Sequence, residues 1–148
     1  MQGSLRHGCA VGGIALTERF VMKIQKSSED YLEAMLVMRE EHGFIRSIDI
    51  AEHMGVTKPS VSYATKRLRE EGYITMDKDS LITLTDKGME IARKMYVRHQ
   101  MLTDFLVSLG VDEAIAKEDA CKIEHDISQQ TFDALCSCAE KLKEAIAS

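Results

Sequence analysis

The sequence predicts a mainly α-helical chain whose N-terminal half is a winged helix-turn-helix. Three observations predict it. The 148 residues hold one proline, no tryptophan and 5% aromatics, against 45% hydrophobic content, a balance that leans towards helix around a sizeable core. The frame Ala51-x3-Gly55-Val56-x4-Val61-Ser62-x5-Leu68 has helix-turn-helix spacing, with glycine where the turn needs a backbone that β-carbons disfavour. Directly afterwards, two short β-prone runs, Tyr73–Met76 and Leu81–Leu84, flank the polar turn Asp77-Lys78-Asp79-Ser80 and read as a hairpin wing.

The elements follow in order. Residues 1–21 contain four of the nine glycines and little helical periodicity. They are expected to be a disordered extension or a mis-called start, with Met22 opening the natural sequence. Their apolar stretch is too short and glycine-broken for a secretory signal. Ser27 or Ser28 is expected to cap a first helix, with Glu29 and Asp30 in the turn where the helix dipole favours acids. Leu32, Met35 and Leu36 give it an apolar stripe, and Gly43 ends it. Ser47 is expected to cap a short second helix through Ile50, Ala51 and Met54. Thr57 caps a third, with Pro59 in its first turn where a missing N–H is harmless. On that helix Val61, Ala64 and Leu68 face inward. Thr85-Asp86-Lys87-Gly88 opens a long helix reaching towards Leu109. The boundaries expected are 22–84 for the winged helix and 85–148 for a second, helical unit.

Charge is distributed unevenly. The net charge is −5, but residues 57–98 carry 9 basic against 6 acidic groups, and residues 99–148 carry 4 against 10. A basic middle and an acidic end fit a DNA-contacting module joined to a cation-binding one. The third helix turns Lys58, Ser60, Ser62, Tyr63, Lys66, Arg67 and Arg69 outward, groups that bond phosphates or base edges. Thr57 and Pro59 at its start and Lys78 in the wing complete the expected DNA surface. No apolar run approaches the roughly 18 residues of a membrane span. Cys9, Cys121, Cys136 and Cys138 have no framework spacing, so free thiols and a cytoplasmic location are expected.

The second unit contains Cys121-Lys122-Ile123-Glu124-His125. Positions 121, 124 and 125 share one face of a helix, bringing together a thiol, a carboxylate and an imidazole. Each can ligate a divalent metal. Asp30 and Glu33, i and i+3 on the first helix, and the lone His99 could add to this set. Together these point to a regulator that senses a divalent metal.

These segments, taken in order, resemble the diphtheria-toxin-repressor family, especially its short manganese-transport-regulator branch. The markers are Glu29-Asp30-Tyr31-Leu32-Glu33, Thr57-Lys58-Pro59-Ser60-Val61-Ser62, Leu84-Thr85-Asp86-Lys87-Gly88, Arg98-His99, Gly110-Val111-Asp112-Glu113 and Ile123-Glu124-His125. The resemblance implies a homodimer, double-stranded operator DNA as partner, and a metal bound between the winged helix and a helical dimerisation domain. It implies Asp30, Glu33, His99, Cys121, Glu124 and His125 as ligands of Mn²⁺ or Fe²⁺, with Co²⁺ and Zn²⁺ plausible in vitro. Position 121 departs from the manganese branch, which has glutamate there; the iron branch has cysteine. Conversely, Asp30 stands where the iron branch has methionine. Because a thiolate bridges hard ions poorly, one strong site is expected rather than a coupled pair. The chain stops at Ser148, so the SH3-like domain of longer members is not expected. No nucleophile or catalytic-acid pattern points to an enzyme. The alternative is a metal-independent winged-helix regulator answering to a small molecule or to thiol redox.

Overall fold

The computed structural model describes residues 12–148, with side chains from Lys26 onward. Helices α1 (Gly12–His42), α2 (Ser47–Met54) and α3 (Lys58–Glu70) precede a small sheet, and α4 (Asp86–Ser108), α5 (Glu113–Ile123) and α6 (Gln129–Ala147) follow it. Strands β2 (Ile74–Met76) and β3 (Leu81–Leu84) form the expected hairpin, with Ile74 opposite Leu84 and Met76 opposite Ile82. A third strand, β1 (Ile45–Arg46), pairs with the other edge of β3. The turn at 77–80 is closed by Asp77, whose carboxylate accepts the Asp79 and Leu81 amides at 2.8 and 2.9 Å.

Two expected caps are corrected. Helix α1 begins at Gly12, so Ser27 and Ser28 lie inside it and cap nothing. Between Ile14 and Lys26 there is no proline or glycine to stop a helix, and a serine in mid-helix costs only about 0.5 kcal/mol. Helix α1 runs through residues 12–21 of the expected disordered extension or mis-called start, and residues 1–11 lie outside the described residues. At α2 the N-cap is Arg46, not Ser47. Strand β1 holds Arg46 extended, so Ser47 is already helical, and the end is braced by Arg46 Nε on Asp49 at 2.9 Å. The other caps match the sequence: Thr57 and Thr85 accept from Ser60 N and Gly88 N, and Gly43 and Gly55 take positive φ.

The larger core gathers Leu32, Met35, Leu36 and Met38 of α1 with Ile45, Ile50, Val61, Leu68, Ile74, Ile82 and Leu84. On α3 Thr65 is buried while Ala64 is half-buried, the Thr65 hydroxyl donating to Val61 O at 2.9 Å. Helix α4 serves two cores. Its first turns, through Met89 and Ala92, close the winged-helix core, and its later Leu102 packs with Ala120 of α5 and Phe132 of α6. Helix α4 thus joins the reading unit to the second unit without a loop. Among the described residues no helix is long and apolar enough to cross a membrane.

Candidate metal centre and DNA-reading helix

Three separate stretches deliver the donor side chains. Asp30 and Glu33 lie one turn apart on α1, and His99 lies on α4. Cys121 is in the last turn of α5, Glu124 is that helix's C-cap, and His125 stands in the turn beyond it. The helix therefore ends one residue before Glu124, but Glu124 keeps helical dihedrals (φ −54°, ψ −30°), so the expected shared face survives.

The structure brings all six expected ligands to one place. Donor atoms of His99, Cys121 and Glu124 lie within 4.8 Å of one another, and so do those of Asp30, Glu124 and His125. Glu124 belongs to both triads and is 0% exposed. His99 Nδ1 lies 3.1 Å from Glu124 Oε2. His125 Nε2 lies 2.6 Å from Asp30 Oδ1 and 3.2 Å from Glu124 Oε1. Glu33 stands outside both triads but near enough to Glu124 for the two carboxyls to shift one another.

The electrostatics follow from crowding acids in a half-buried space. Burial, then the Glu124 charge, pushes the Glu33 carboxyl up to about 8. Burial opposes the charge on Glu124, but the neighbouring His125, His99 and Glu33 outweigh it and hold that carboxyl below its ordinary value. Of these two acids Glu33 is therefore the one that keeps its proton at neutral pH. Burial likewise opposes charge on His125, yet Asp30, Glu124 and Glu29 around the ring push it up to about 11. The hydrogen bond to Glu124 raises His99 against the cost of its burial. Burial, followed by the charges of Glu124, Asp30 and Glu33, moves the Cys121 thiol up to about 11.

The cluster fits a divalent cation. Glu124 Oε1 and His125 Nε2 are buried without a hydrogen bond, although their ion-pair contacts are short. The distances are those of partners, but the angles are not. Donor atoms gathered within 4.8 Å of one another, two of them buried without a hydrogen bond, suit a metal ion.

Two neighbours were not legible as part of the site. Glu29 Oε2 lies 2.8 Å from His125 Nδ1. Arg98, buried on α4, donates from Nη1 to the carbonyls of Glu124 (2.8 Å) and Ile127 (3.3 Å), and from Nη2 to Gln129 Oε1 at 2.9 Å. Both are marked in sequence only by adjacency to an expected ligand. His42 and His53 are exposed, as expected of residues without a site role. Of the Cys136-x-Cys138 pair, one is half-buried and the other exposed.

On the reading helix Lys58, Pro59, Ser60, Ser62, Tyr63, Lys66 and Arg69 are exposed, Tyr63 at 66%. Thr57 and Ser60 are exposed too, but their hydroxyls meet at 2.8 Å in the cap. Arg67 is half-buried and paired with Glu71 at 3.0 Å. Lys78 is exposed in the wing turn.

A winged helix whose first helix lends two carboxylates to a cluster completed by His99, Glu124, His125 and the exposed thiol of Cys121 defines a class: DNA-binding proteins with a metal centre built into the reading unit's frame. Residues 23–81 match the iron dependent repressor N-terminal DNA binding domain, and residues 85–145 match the iron dependent repressor metal binding and dimerisation domain. The chain belongs to this iron-dependent, or diphtheria-toxin, repressor family of metal-responsive DNA-binding transcription regulators. It is 35% identical over 125 residues to an uncharacterized HTH-type transcriptional regulator of Methanocaldococcus jannaschii, covering 83% of this chain and 100% of the relative. It is 36% identical over 113 residues to the transcriptional regulator MntR of Salmonella typhimurium, covering 76% of this chain and 72% of the relative. Its fold is similar to the solved manganese regulator SloR, with a TM-score of 0.69 at 31% identity over 76% of this chain. The chain spans about half of that structure, 53% of its length.

Proposed function

We propose that this chain is a repressor of divalent-metal homeostasis, activated by Mn²⁺ or Fe²⁺, that acts as a cytoplasmic homodimer on double-stranded operator DNA. The carrying observation is the convergence of Asp30, Glu33, His99, Cys121, Glu124 and His125 from α1, α4 and the end of α5. The names of MntR and SloR support manganese, while the thiol of Cys121 favours softer ions. The two triads sharing Glu124 also support a second reading of the stoichiometry. Two ions could sit side by side with Glu124 between them, a bridge that does not need the thiolate.

Metal supplies charge neutralisation here, and the protein supplies the coupling. Asp30 and Glu33 move with α1, whose opposite side is the core of the reading unit. His99 moves with α4. Drawing these donors together favours one placement of the reading helix, and in a dimer one separation of two such helices, about 34 Å per DNA turn. A bound ion, held by these residues, would therefore favour the DNA-competent state.

Thr57, Lys58, Pro59, Ser60, Ser62, Tyr63, Lys66, Arg67 and Lys78 are the DNA contacts of this reading. Exposed Ser62 and Tyr63 suit base edges, and Lys58, Lys66 and Arg69 suit phosphates. Arg67 must release Glu71 to join them. Operator binding should require a divalent cation and weaken steeply with salt, each phosphate contact adding about 0.9 to the log–log slope. A DNA-shift titration with and without excess chelator checks this. Tight, specific binding in chelator would remove the metal-dependent reading.

Cys121 sets the expected ion ranking. A thiol held up to about 11 must lose its proton to ligate, and softer ions drive that loss better than Mn²⁺, the weakest binder of the series. Fe²⁺ and Co²⁺ should therefore activate at least as well as Mn²⁺. Cys121→Glu should raise Mn²⁺ responsiveness by about tenfold or more and flatten the ranking. Because His125 and Cys121 both hold protons that the ion displaces, affinity should fall as pH is lowered and rise as it is raised. Calorimetric titrations ion by ion, at several pH values, provide the check. An unchanged ranking would make Cys121 a bystander.

A further inference from the structure

We propose that Glu29 is a positioning residue for the metal centre, holding the His125 ring so that Nε2 faces the donor cluster. The proposal rests on the reading of His125 as a ligand.

Both ring nitrogens of His125 face carboxylates. Nδ1 lies 2.8 Å from Glu29 Oε2, and Nε2 lies 2.6 Å from Asp30 Oδ1 and 3.2 Å from Glu124 Oε1. The His125 side chain is 1% exposed, so bulk water cannot serve either nitrogen. Glu29 and Asp30 are consecutive on α1, about 100° apart around the helix axis, and they straddle the ring from two sides. Glu29 is not a further member of the donor set. Its carboxylate lies across the ring from the point where Nε2, Asp30 and Glu124 converge, and ring nitrogens diverge, so one ion cannot reach both. A neutral imidazole that ligates keeps one N–H. If Nδ1–H donates to Glu29, the lone pair is on Nε2, the tautomer that the cluster needs. Outer carboxylates that fix ligating histidines in this way also raise the basicity of the ring.

The location of Glu29 adds a consequence. It belongs to the reading unit's helix, whereas His125 belongs to the turn after α5. The ligand is oriented only while α1 is docked, so a residue that never touches the ion contributes to the coupling between metal and DNA.

The test uses the full chain: Mn²⁺ titrations of the wild type, Glu29→Ala, Glu29→Gln, His125→Ala and the Glu29→Ala/His125→Ala double variant. Glu29→Ala should weaken Mn²⁺ binding by roughly 10–100-fold with the number of ions per chain unchanged. Glu29→Gln, whose amide oxygen still accepts from Nδ1, should recover most of that loss. His125→Ala should weaken binding at least as much, and Glu29→Ala should cost nothing further in its background. In the diamagnetic Zn²⁺-loaded protein, NMR should show a slowly exchanging His125 Nδ1–H, present in the wild type and Glu29→Gln. If Glu29→Ala does not fold, that signal in Glu29→Gln decides. The proposal is overturned if Glu29→Ala binds within about threefold of wild type while His125→Ala does not, if it lowers the ion count, or if Zn²⁺-loaded wild type carries its proton on Nε2. Wild-type affinity in His125→Ala would instead overturn the ligand reading beneath it.

Discussion

Glu124→Gln is expected to abolish metal-dependent operator binding and to lower Mn²⁺ affinity more than about 100-fold, beyond the loss typical of outer-shell substitutions. Glu124 is the member common to both triads, fully buried, with one oxygen 3.1 Å from His99 and the other 3.2 Å from His125. Glutamine keeps the shape and one acceptor oxygen, so the fold survives, but the charge and one donor atom are gone. Stability of the metal-free protein should change less, because burial and pairing of the carboxylate oppose each other. The sign of that change is set by the lowered Glu124 carboxyl. A group depressed on folding stabilises above its ordinary value of 4.5, and that contribution is lost as pH falls through the folded value. The wild type should therefore out-melt the variant at pH 7 and converge with it in acid. Calorimetric titration, DNA-shift assays and melts at several pH values check all three statements. Unchanged metal affinity would show that the triads are not the metal centre.

Gly88→Ala should lower stability by about 3 kcal/mol, the upper end of overpacking costs, and the melting midpoint by roughly 10 °C. Gly88 is buried in the first turn of α4, and a β-carbon there would collide with Tyr73 O and lie 3.0 Å from Tyr73 C. Neither side of this contact can yield cheaply. Tyr73 O accepts the Thr85 amide at 3.0 Å, the Thr85 hydroxyl lies 2.7 Å from Gly72 O, and the same hydroxyl caps α4 by accepting Gly88 N at 3.2 Å. Shifting α4 also shifts Arg98 and His99 further along it, so metal affinity should drop with stability. A thermal melt is the direct measurement. A midpoint within roughly 2 °C of wild type would mean that the strand–helix joint is softer than its hydrogen bonds indicate.

Much of this fold was legible because its signals are local. Gly55 in the turn, Thr57 and Thr85 as caps, and the period of Leu32, Met35 and Leu36 each act within a few residues. Strand β1 was not legible, since two residues carry no period and Ile45 is extended only because Ile82 lies opposite it. The cap at Ser47 failed for the same reason, as that strand fixes where α2 begins. Among the expected ligands, Glu124 and His125 had local spacing to mark them. Asp30, Glu33 and His99 needed the family pattern, because nothing local says that α1 and α4 meet beside the end of α5. Glu29 and Arg98 act through the His125 ring and the Glu124 carbonyl, and a contact of that kind leaves no periodic trace in a sequence.

Helix α1 is keyed on two sides like a shaft. Glu29, Asp30 and Glu33 engage the cluster, while Leu32, Met35, Leu36 and Met38 engage the winged-helix core. The angle between those keys is fixed by residue count alone. One residue inserted between Glu33 and Met35 would turn one key against the other by about 100°. With Met35, Leu36 and Met38 kept in the winged-helix core, Leu32 would turn out of it and the acids would point past the ion. Tolerance to insertion is therefore set here by rotational phase, and a length change in this short span would cost the metal centre its acids and the reading unit the packing of Leu32 together.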